Sequence, residues 1–387
     1  MDFSFSPAQE MIRNIARQFA QEVCEPIAAE VDRNAEFPMD TWKKMAEYGL
    51  LEINHGKEFG GAGHDKIAEM IVVEELSKVC LTSGATFALL GGGVPTFIEK
   101  FGTKEQREKY VERMIKEGLI GCFCLTEPDA GSDAANVSTT AEKDGDYYVL
   151  NGTKRFITAG GLGDVYLIVA QVDKSKGVKG FTGFIIDDVD NTPGFSIGKI
   201  ESKMGIRGSQ TAEVILENAR VHKDQILGGK EGKMFKQALS TLDSARIGTG
   251  AQALGLAQGA FEQALKYSGE RVQFGKPINA NQGIQWYLAE MATKIETARW
   301  MVYHAAWMDN QGQRVTKEAA MAKLYASQIA REVTNTALQI FGGYGFMNDY
   351  PLERMYRDAK ITEIYEGSSE IMKVVIAASL IGKKKKK

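Results

Sequence analysis

Apolar residues recur every three or four positions in three early parts of the chain, which predicts amphipathic helices at residues 11–19, 65–80 and 104–116. Ser6 can cap the first helix, with Pro7 at its first position and Gln9 bonding back to the cap. The loop at 59–63 and the glycine run at 91–93 interrupt the later helices. The first part of the chain is therefore predicted to be all-helical.

From about residue 120 the pattern changes to short runs that are typical of strands. Residues 147–150 and 154–157 flank Asn151-Gly152, which predicts a tight hairpin because Asn-Gly tolerates the positive φ of a type I′ turn. Further β-rich runs, each bounded by Gly, Asp or Asn, lie at 165–172, 181–186 and 214–216. This all-β insert is predicted to end near Gly228-Gly229.

After Gly232 the helical spacing returns in four long runs, at 234–268, 284–309, 317–341 and 371–381. Four amphipathic helices of this length predict a bundle. The chain is therefore expected to have an α+β fold with an N-terminal α-helical domain at 1–119, a middle β domain at 120–230 and a C-terminal helical bundle at 231–387. The sequence has no internal repeat and no linker rich in Pro, Gly or Ser that would separate independent domains.

Composition is that of a soluble globular protein: the 387 residues are 44% hydrophobic and 25% charged, with a net charge of −3. Nothing in this balance favours nucleic acid, whose phosphates attract a basic surface. The lysine run at 383–387 is explained either as a solvated tail or as a site for an anionic partner.

Four cysteines are too few for a disulfide framework, and Cys122 and Cys124 would face the same side of a strand as packing residues. A reducing, cytoplasmic compartment is expected.

Other functional signals are weak or missing in the sequence. The first five residues lack a charged segment followed by an apolar core, so we expect no signal peptide, and no stretch long enough to span a bilayer is expected. The four histidines show no metal-ligand spacing, and no Gly-x-Ser-x-Gly elbow accompanies them. Neither a metal site nor a hydrolase site is predicted.

The segment 125–133 follows a predicted strand that it cannot continue. Pro128 lacks an N–H group, and Gly131 frees the backbone for the close approach of another group. Hydroxyl side chains and bare N–H groups here would suit a phosphate-bearing cofactor, although an ordinary surface turn has the same composition. The segment 340–345 ends a helix with three glycines in four positions, which is consistent either with a helix cap or with a backbone approached by a ligand.

The segment 364–370 is the most informative. Ser368 or Ser369 can cap the closing helix, and Glu370 is favourably placed in its first turn. Glu366 falls just outside that helix, between Tyr365 and Gly367. From the residues alone, a solvated loop glutamate is the common alternative to a catalytic carboxylate at such a position.

Together these stretches resemble the acyl-CoA dehydrogenase family over essentially the whole chain. The matching pieces occur in order at residues 58–61, 125–133, 156–158, 203–205, 243–246, 271–277, 339–345 and 364–370. The resemblance implies that family's fold: an N-terminal all-α domain, a middle β-barrel-like domain and a C-terminal four-helix bundle. It also implies a bound FAD and a homo-oligomer, most often a tetramer.

The resemblance implies two groups of residues around FAD. The flavin and its pyrophosphate would contact Phe123, Leu125, Thr126, Gly131, Ser132, Phe156, Ile157 and Thr158. The adenosine half of a neighbouring subunit's FAD would contact Arg271, Phe274, Gln282, Gln339, Ile340, Phe341, Gly342 and Gly343, and Ser368, Ser369 and Glu370 would also touch FAD. Phe156 stands where the family usually has tryptophan, so an aromatic wall is kept and the indole donor is lost.

The resemblance also implies a site for an acyl-CoA or enoyl-CoA thioester. The residues that would hold the thioester and its pantetheine arm are Ser132, Asp243, Ser244, Ala245, Arg246 and Gly367. Some relatives carry the catalytic carboxylate just before the arginine of the Asp-x-x-Arg pattern, where this chain has Ala245, which cannot act as a base. Glu366 then remains as the catalytic base, as in the short- and medium-chain branch.

The implied reaction is an α,β-dehydrogenation. Glu366 would remove the α-proton while the β-hydride passes to the flavin, leaving a trans-2-enoyl-CoA, and an electron-transferring flavoprotein would take the electrons. A carboxylate in such a dry pocket is expected to have a raised pKa, because desolvation favours its neutral form.

Substrate size stays open between two interpretations. Residues 252–255 and 361–363 match the butyryl-CoA type, whereas the glycine run of 89–93 departs from it and could open the pocket to a ring-bearing acyl group. The alternative is that these glycines only loosen a helix.

Three other functions are compatible with the same family resemblance. One is an enoyl-CoA reductase that runs the reaction backwards with an electron-transfer flavoprotein attached, its substrate including an aryl-acrylyl-CoA such as caffeyl-CoA. The others are a non-redox, lyase-like relative and an inactive FAD-binding scaffold. Lyase-like relatives often lack the base, so Glu366 counts against that reading, and the complete motif set counts against a scaffold.

Overall fold

The computed structural model describes residues 4–382, so the lysine run at 383–387 and the first three residues lie outside it. Helices make up the first region: α1 (Pro7–Phe19), α2 (Ala28–Asn34), α3 (Met39–Glu47), α4 (Lys66–Val79), α5 (Leu81–Thr86), α6 (Val94–Phe101) and α7 (Lys104–Lys116). The predicted start of α1 is confirmed, because Ser6 Oγ accepts from the Gln9 N–H while the Gln9 side chain accepts from the Ser6 N–H. Thr103 and Gln106 form the same capping box at α7.

Between α5 and α6 the chain makes a π-helical turn, Phe87–Gly91, followed by a bend at Gly92 and Gly93. The whole stretch Leu81–Phe101 is 21 residues long and apolar enough to cross a membrane, contrary to the sequence expectation. However, 72% of its apolar window is buried inside the protein, as in the core helix of a globular domain. This interrupted segment forms one wall of the cavity described below.

Seven strands form the sheet of the middle region: β1 (Gly121–Cys124), β2 (Thr140–Asp144), β3 (Tyr147–Thr158), β4 (Val165–Gln171), β5 (Phe181–Ile186), β6 (Phe195–Ile200) and β7 (Thr211–His222). The strand order is β1-β4-β2-β3-β7-β6, with β5 paired to β4. Strand β4 is buried along its whole length and runs parallel to β1. Cys122 and Cys124 are both buried on β1, where the sequence predicted packing residues.

The predicted Asn151-Gly152 hairpin is wrong. Both residues lie inside the continuous strand β3, where the register against β7 shifts between Leu150 and Gly152. A Cβ on Gly152 would stand 2.4 Å from Thr139 Oγ1, so glycine is needed for a close backbone approach and not for a turn. The chain instead turns between β2 and β3 at Gly145, whose φ is 64°.

The last region contains the helices α8 (Met234–Glu270), α9 (Gln282–Asn310), α10 (Thr316–Phe341), α11 (Leu352–Ala359) and α12 (Ser369–Ile381), with a short ladder of β8 (Val272–Gln273) and β9 (Lys276–Pro277). The 37-residue α8 packs against α9, α10 and also α4 of the first region, while α12 packs against α10. The predicted fold, helical at both ends of the chain with a β region between them, is therefore confirmed. The packing of α4 on α8 joins the first and last regions into one core.

Candidate active site

One cavity of about 580 Å³ lies where the three regions meet. Its walls come from α4, the segment around the Phe87–Gly91 turn, the end of β1 with its following loop, α8 and the loop before α12. All eight residues predicted for the flavin and pyrophosphate line it: Phe123, Leu125, Thr126, Gly131, Ser132, Phe156, Ile157 and Thr158. The fold thus brings together residues that are up to 35 positions apart in the sequence.

Most of the predicted substrate residues line the same cavity, namely Ser132, Ser244, Ala245, Arg246 and Gly367, together with Glu366. Asp243 does not line it. Its carboxylate accepts from Arg246 Nη1 at 2.7 Å and from Thr316 Oγ1 at 2.6 Å, so it lies behind the wall and orients the arginine. Arg246 is nine-tenths buried, and its Nε has no hydrogen-bond partner among residues 4–382. That N–H group is buried without a partner.

The residues predicted for a neighbouring subunit's adenosine do not line this cavity. Phe274 is 99% exposed at the tip of the β8–β9 turn, Gln282 and Gln339 are exposed, and Arg271 lies over the Tyr344 ring at 5.4 Å. Gly342 and Gly343 are exposed with open space around them. The Ile340 and Phe341 side chains instead belong to the core, where Phe341 stacks on Tyr267. These residues lie apart from the cavity, and their contact with FAD stays a prediction.

The residues after Glu366 have a structural role in this chain. Ser368 caps α12 by accepting from the Ile371 N–H group, as the sequence predicted. Ser369 is buried and its hydroxyl donates to the Glu363 carbonyl, while Glu370 is exposed in the first turn of α12. None of these three lines the cavity among the described residues, so their contact with FAD stays a prediction.

Glu366 has an unusual backbone. Its φ is 55° and that of Gly367 is 100°; a non-glycine residue at positive φ costs of the order of 1–3 kcal/mol and persists only where its surroundings hold it. Within residues 4–382 no hydrogen bond is formed by the Glu366 N–H group or by its carboxylate. Burial raises the pKa of this carboxylate, and the positive charges of Lys323 and Arg246 oppose the rise. A partly buried carboxylate with a raised pKa and no bonded donor is suited to accept a proton.

A buried ion pair that the sequence analysis missed supports the flavin side of the cavity. Lys154 on β3 donates to Glu127 Oε1 at 2.8 Å and to the Leu125 carbonyl at 3.3 Å, and its side chain is 0% exposed. The Glu127 carboxylate also accepts from the N–H and hydroxyl groups of Ser138 and Thr139. Burial alone would raise the pKa of Glu127, but Lys154 and these donors lower it to about 2. The pair fixes the 125–133 loop to the strand that carries Phe156 and Thr158.

The cavity wall formed by the segment around the Phe87–Gly91 turn has both open and polar parts. Gly92 and Gly93 line it beside Ala88 and Leu89. A Cβ would stand 2.8 Å from the Ala88 carbonyl at Gly92 and 2.2 Å from the Leu89 carbonyl at Gly93, so both glycines also satisfy the backbone bend. Near Gly92 lies buried Glu69, whose Oε2 accepts from Asn54 at 2.6 Å and from Lys66 at 2.7 Å. The glycines therefore serve the bend and leave space in the cavity at the same time.

The cavity residues fit a flavin nucleotide. Phe156 has φ 59°, and its ring, 59% exposed, borders the cavity as an aromatic face. No atom lies within 4 Å of the position a Cβ would take on Gly131, so the backbone of the 125–133 loop is open to a ligand. Aromatic faces beside an open glycine backbone and small hydroxyl residues are what a planar ring with a phosphate tail requires.

Family models for the acyl-CoA dehydrogenase N-terminal, middle and C-terminal domains match residues 6–118, 122–219 and 232–381. The acryloyl-CoA reductase (NADH) of Anaerotignum propionicum is 55% identical over 98% of this chain and 96% of its own length. The short-chain specific acyl-CoA dehydrogenase of Clostridium acetobutylicum is 48% identical over 98% of this chain and 100% of its own. A chain from a structural study of the electron transferring flavoprotein of Acidaminococcus fermentans superposes with a TM-score of 0.96 at 47% identity, over 99% of this chain and 100% of the other.

The fold and the cavity, in which Glu366 lies together with the predicted flavin residues, define a flavin-type oxidoreductase site, and the family matches extend over nearly the whole chain. The chain belongs to the acyl-CoA dehydrogenase family. It is therefore an oxidoreductase enzyme that acts on acyl-CoA thioesters.

Proposed function

We propose that the chain interconverts a short-chain or ring-bearing acyl-CoA and its trans-2-enoyl-CoA with FAD as cofactor and Glu366 as the acid–base residue. The observation that carries the proposal is the placement of Glu366 in one cavity with both predicted sets of residues, the flavin set and most of the thioester set. Its raised pKa adds support, because a general base works best when its pKa lies near the working pH.

The α-proton of a thioester is poorly acidic, so the carbonyl oxygen must be stabilised as negative charge develops. The Glu366 N–H group, which is free within residues 4–382, is the donor proposed for that oxygen. The same residue then supplies both the oxyanion donor, through its backbone, and the base, through its side chain.

Residues of helix α8 would hold the pantetheine end of the thioester. Arg246 lines the cavity with an unpartnered Nε, and Asp243 orients it from behind. Ala245 leaves room beside the arginine where a larger side chain would fill the cavity. We infer that these residues hold the pantetheine end while the acyl group lies towards Ala88, Leu89 and the glycines.

FAD, when bound, supplies the acceptor for the β-hydride and the route for electrons to leave. The proposed contacts are those of Phe123, Leu125, Thr126, Gly131, Ser132, Phe156, Ile157 and Thr158 in the cavity. The second surface of Arg271, Phe274, Gln282 and residues 339–343, with Ser368–Glu370, would serve the FAD of a neighbouring subunit. That arrangement needs a homo-oligomer, for which we propose a tetramer.

A second candidate is the reverse reaction, reduction of an enoyl-CoA. It is favoured by the 55% identity to a protein named acryloyl-CoA reductase. The same residues serve both directions, since Glu366 would return a proton to the α-carbon. An electron-transferring flavoprotein is the proposed redox partner in either direction, and the similarity to a chain from a study of such a flavoprotein supports it. The cytoplasm is the proposed location.

The test is an anaerobic titration of the purified, FAD-loaded protein with linear, branched, cyclic and aryl acyl-CoAs. Loss of the flavin absorbance on adding at least one saturated acyl-CoA is expected, and the matching enoyl-CoA should reoxidise the chemically reduced protein. A protein that binds no FAD, or a flavin that no acyl-CoA reduces and no enoyl-CoA reoxidises, would contradict the proposal.

A further inference from the structure

A buried lysine lies directly behind the turn that carries Glu366. Lys323 is on α10, its side chain is 0% exposed, and its ammonium donates a hydrogen bond to the Gly367 carbonyl. Lysine is almost never fully buried unless it is paired, because its ammonium is strongly hydrated in water. Among residues 4–382 no carboxylate lies within ion-pair distance of Lys323. Neither the sequence motifs nor the mechanism above gives this residue a role.

The first part of its role is mechanical. Glu366 and Gly367 both have positive φ, and such a backbone persists only where its surroundings hold it. A Cβ on Gly367 would stand 2.7 Å from Met372 Cε, so the turn is tightly packed against α12. The bond from Lys323 to the Gly367 carbonyl ties this turn to α10, the central helix of the bundle.

The second part is electrostatic. Arg246 of α8 and Lys323 of α10 are the positive groups that face Glu366. Glu363 and Glu370, on the two sides of the turn, also act on Lys323, and Glu363 already pairs with Arg331 and Lys360. Arg246 is paired with Asp243, which leaves Lys323 as the positive charge without an ion-pair partner next to Glu366. Burial lowers the pKa of Lys323 to about 8, and the nearby Glu366 opposes that fall.

We propose that Lys323 is a positioning residue for Glu366: its ammonium holds the Glu366–Gly367 turn and supplies the charge that keeps the carboxylate ready to accept the α-proton. The inference rests on the proposed function. Lys323 touches neither substrate nor cofactor, since it lies behind the cavity wall, and it acts through the turn.

Two substitutions separate the two parts of this role. Lys323→Met removes both the donor and the charge, whereas Lys323→Gln keeps a donor for the Gly367 carbonyl without the charge. Lys317→Met, near the start of the same helix, is the matched control, because Lys317 is half-exposed and pairs with Glu318 at 3.0 Å. The assay is the rate of anaerobic flavin reduction by the best acyl-CoA between pH 5 and pH 9, with FAD content measured for each variant.

Both Lys323 variants should move the rising midpoint of the pH–rate profile to higher pH by about one pH unit or more, because a nearby opposite charge stabilises the charged carboxylate. At a pH below both midpoints this is a loss of about tenfold or more, and Lys317→Met should match wild type. Lys323→Gln should keep more FAD than Lys323→Met.

The following outcomes would overturn the inference. Variants that are less stable but keep the wild-type midpoint would make Lys323 a packing residue, and so would variants that lose all FAD. A wild-type flavin that no acyl-CoA reduces would reject the proposed function and the inference with it, whereas a reducible wild type with an unmoved midpoint in the variants rejects the inference alone.

Discussion

Removing Lys154 should destabilise the folded protein, since it leaves the Glu127 carboxylate buried without its counter-charge. The pair joins β3 to the 125–133 loop through the 2.8 Å contact between Lys154 Nζ and Glu127 Oε1. Lys154→Met keeps most of the side-chain volume and removes the charge. The substitution therefore tests the ion pair without opening a large cavity in the core.

The size of the effect follows from the Glu127 pKa, which is lowered from 4.5 to about 2. A difference of about 2.5 pH units at ~1.4 kcal/mol per unit is ~3.5 kcal/mol. The donors from Ser138 and Thr139 supply part of it, and burial lowers the pKa of Lys154, which reduces the net gain from the pair. Breaking a buried pair from one side costs about 3–5 kcal/mol, so we expect a loss of about 3 kcal/mol at pH 7.

The sign of the pH dependence follows from the lowered pKa. The ionised Glu127 stabilises the folded state at a pH above about 4.5, and this contribution is lost as the pH falls towards 2. In Lys154→Met the carboxylate should take up a proton at a higher pH than in wild type. The stability difference should therefore be largest near pH 7 and shrink as the pH falls.

The assay is urea denaturation of the FAD-loaded protein at fixed concentration, followed by far-ultraviolet circular dichroism. Lys104→Met is the matched control, because Lys104 is 82% exposed and its 3.6 Å pair with Glu108 should contribute less than about 1 kcal/mol. The double variant Glu127→Gln with Lys154→Met should recover part of the loss. A Lys154→Met protein as stable as the Lys104→Met control would refute the reasoning.

Two further predictions concern the cavity. Gly248→Ala would place a new methyl group in the cavity wall, with its Cβ 3.8 Å from the Ala88 Cβ, which is an ordinary contact. Because this methyl group takes up space in the cavity, the substitution should lower kcat/KM for ring-bearing acyl-CoAs about tenfold more than for butyryl-CoA. Gly283→Ala, which meets no atom within 4 Å, is the control, and equal losses for both substrate classes would show that the ring does not reach this wall. In wild type, the rate of flavin reduction should rise with pH, because Glu366 must be ionised to act as a base, and the midpoint should lie above the usual glutamate value of about 4.3. A stopped-flow pH series that gives a flat profile, or a midpoint below that value, would contradict the raised pKa.

Local sequence signals predicted α1, α4 and α7 and the helices α8, α9, α10 and α12, since capping and periodicity act within a few residues. Ser6 with Gln9 and Ser368 at α12 are examples. The sequence analysis did not identify β6, whose residues are mostly exposed and show no clear alternation, or α11, which has only eight residues. The Asn-Gly prediction failed because the approach of Thr139 to Gly152 is a contact between strands, which no local pattern reveals.

The residues of the candidate site also fall into those that the sequence predicted and those that it missed. Motifs predicted Glu366, the flavin set and most of the thioester set, which line one cavity, because their types and order carry the family resemblance. Lys323 and the Glu127–Lys154 pair were missed, since a buried lysine has the same sequence appearance as an exposed one. A lysine at an otherwise apolar position of a helix or strand is the signal that could have found them.

The central claim, that Glu366 is the base, is tested most directly by flavin reduction in Glu366→Gln. The amide is nearly isosteric with the acid but cannot accept the α-proton, so the variant should keep FAD and still bind acyl-CoA, detected as a perturbation of the flavin spectrum. Mixed anaerobically with the best acyl-CoA, it should reduce its flavin at least about 10²–10⁴-fold more slowly than wild type. Glu108→Gln, on the exposed face of α7, should match wild type. A Glu366→Gln protein that bleaches its flavin at a rate near that of wild type would show that another group removes the proton.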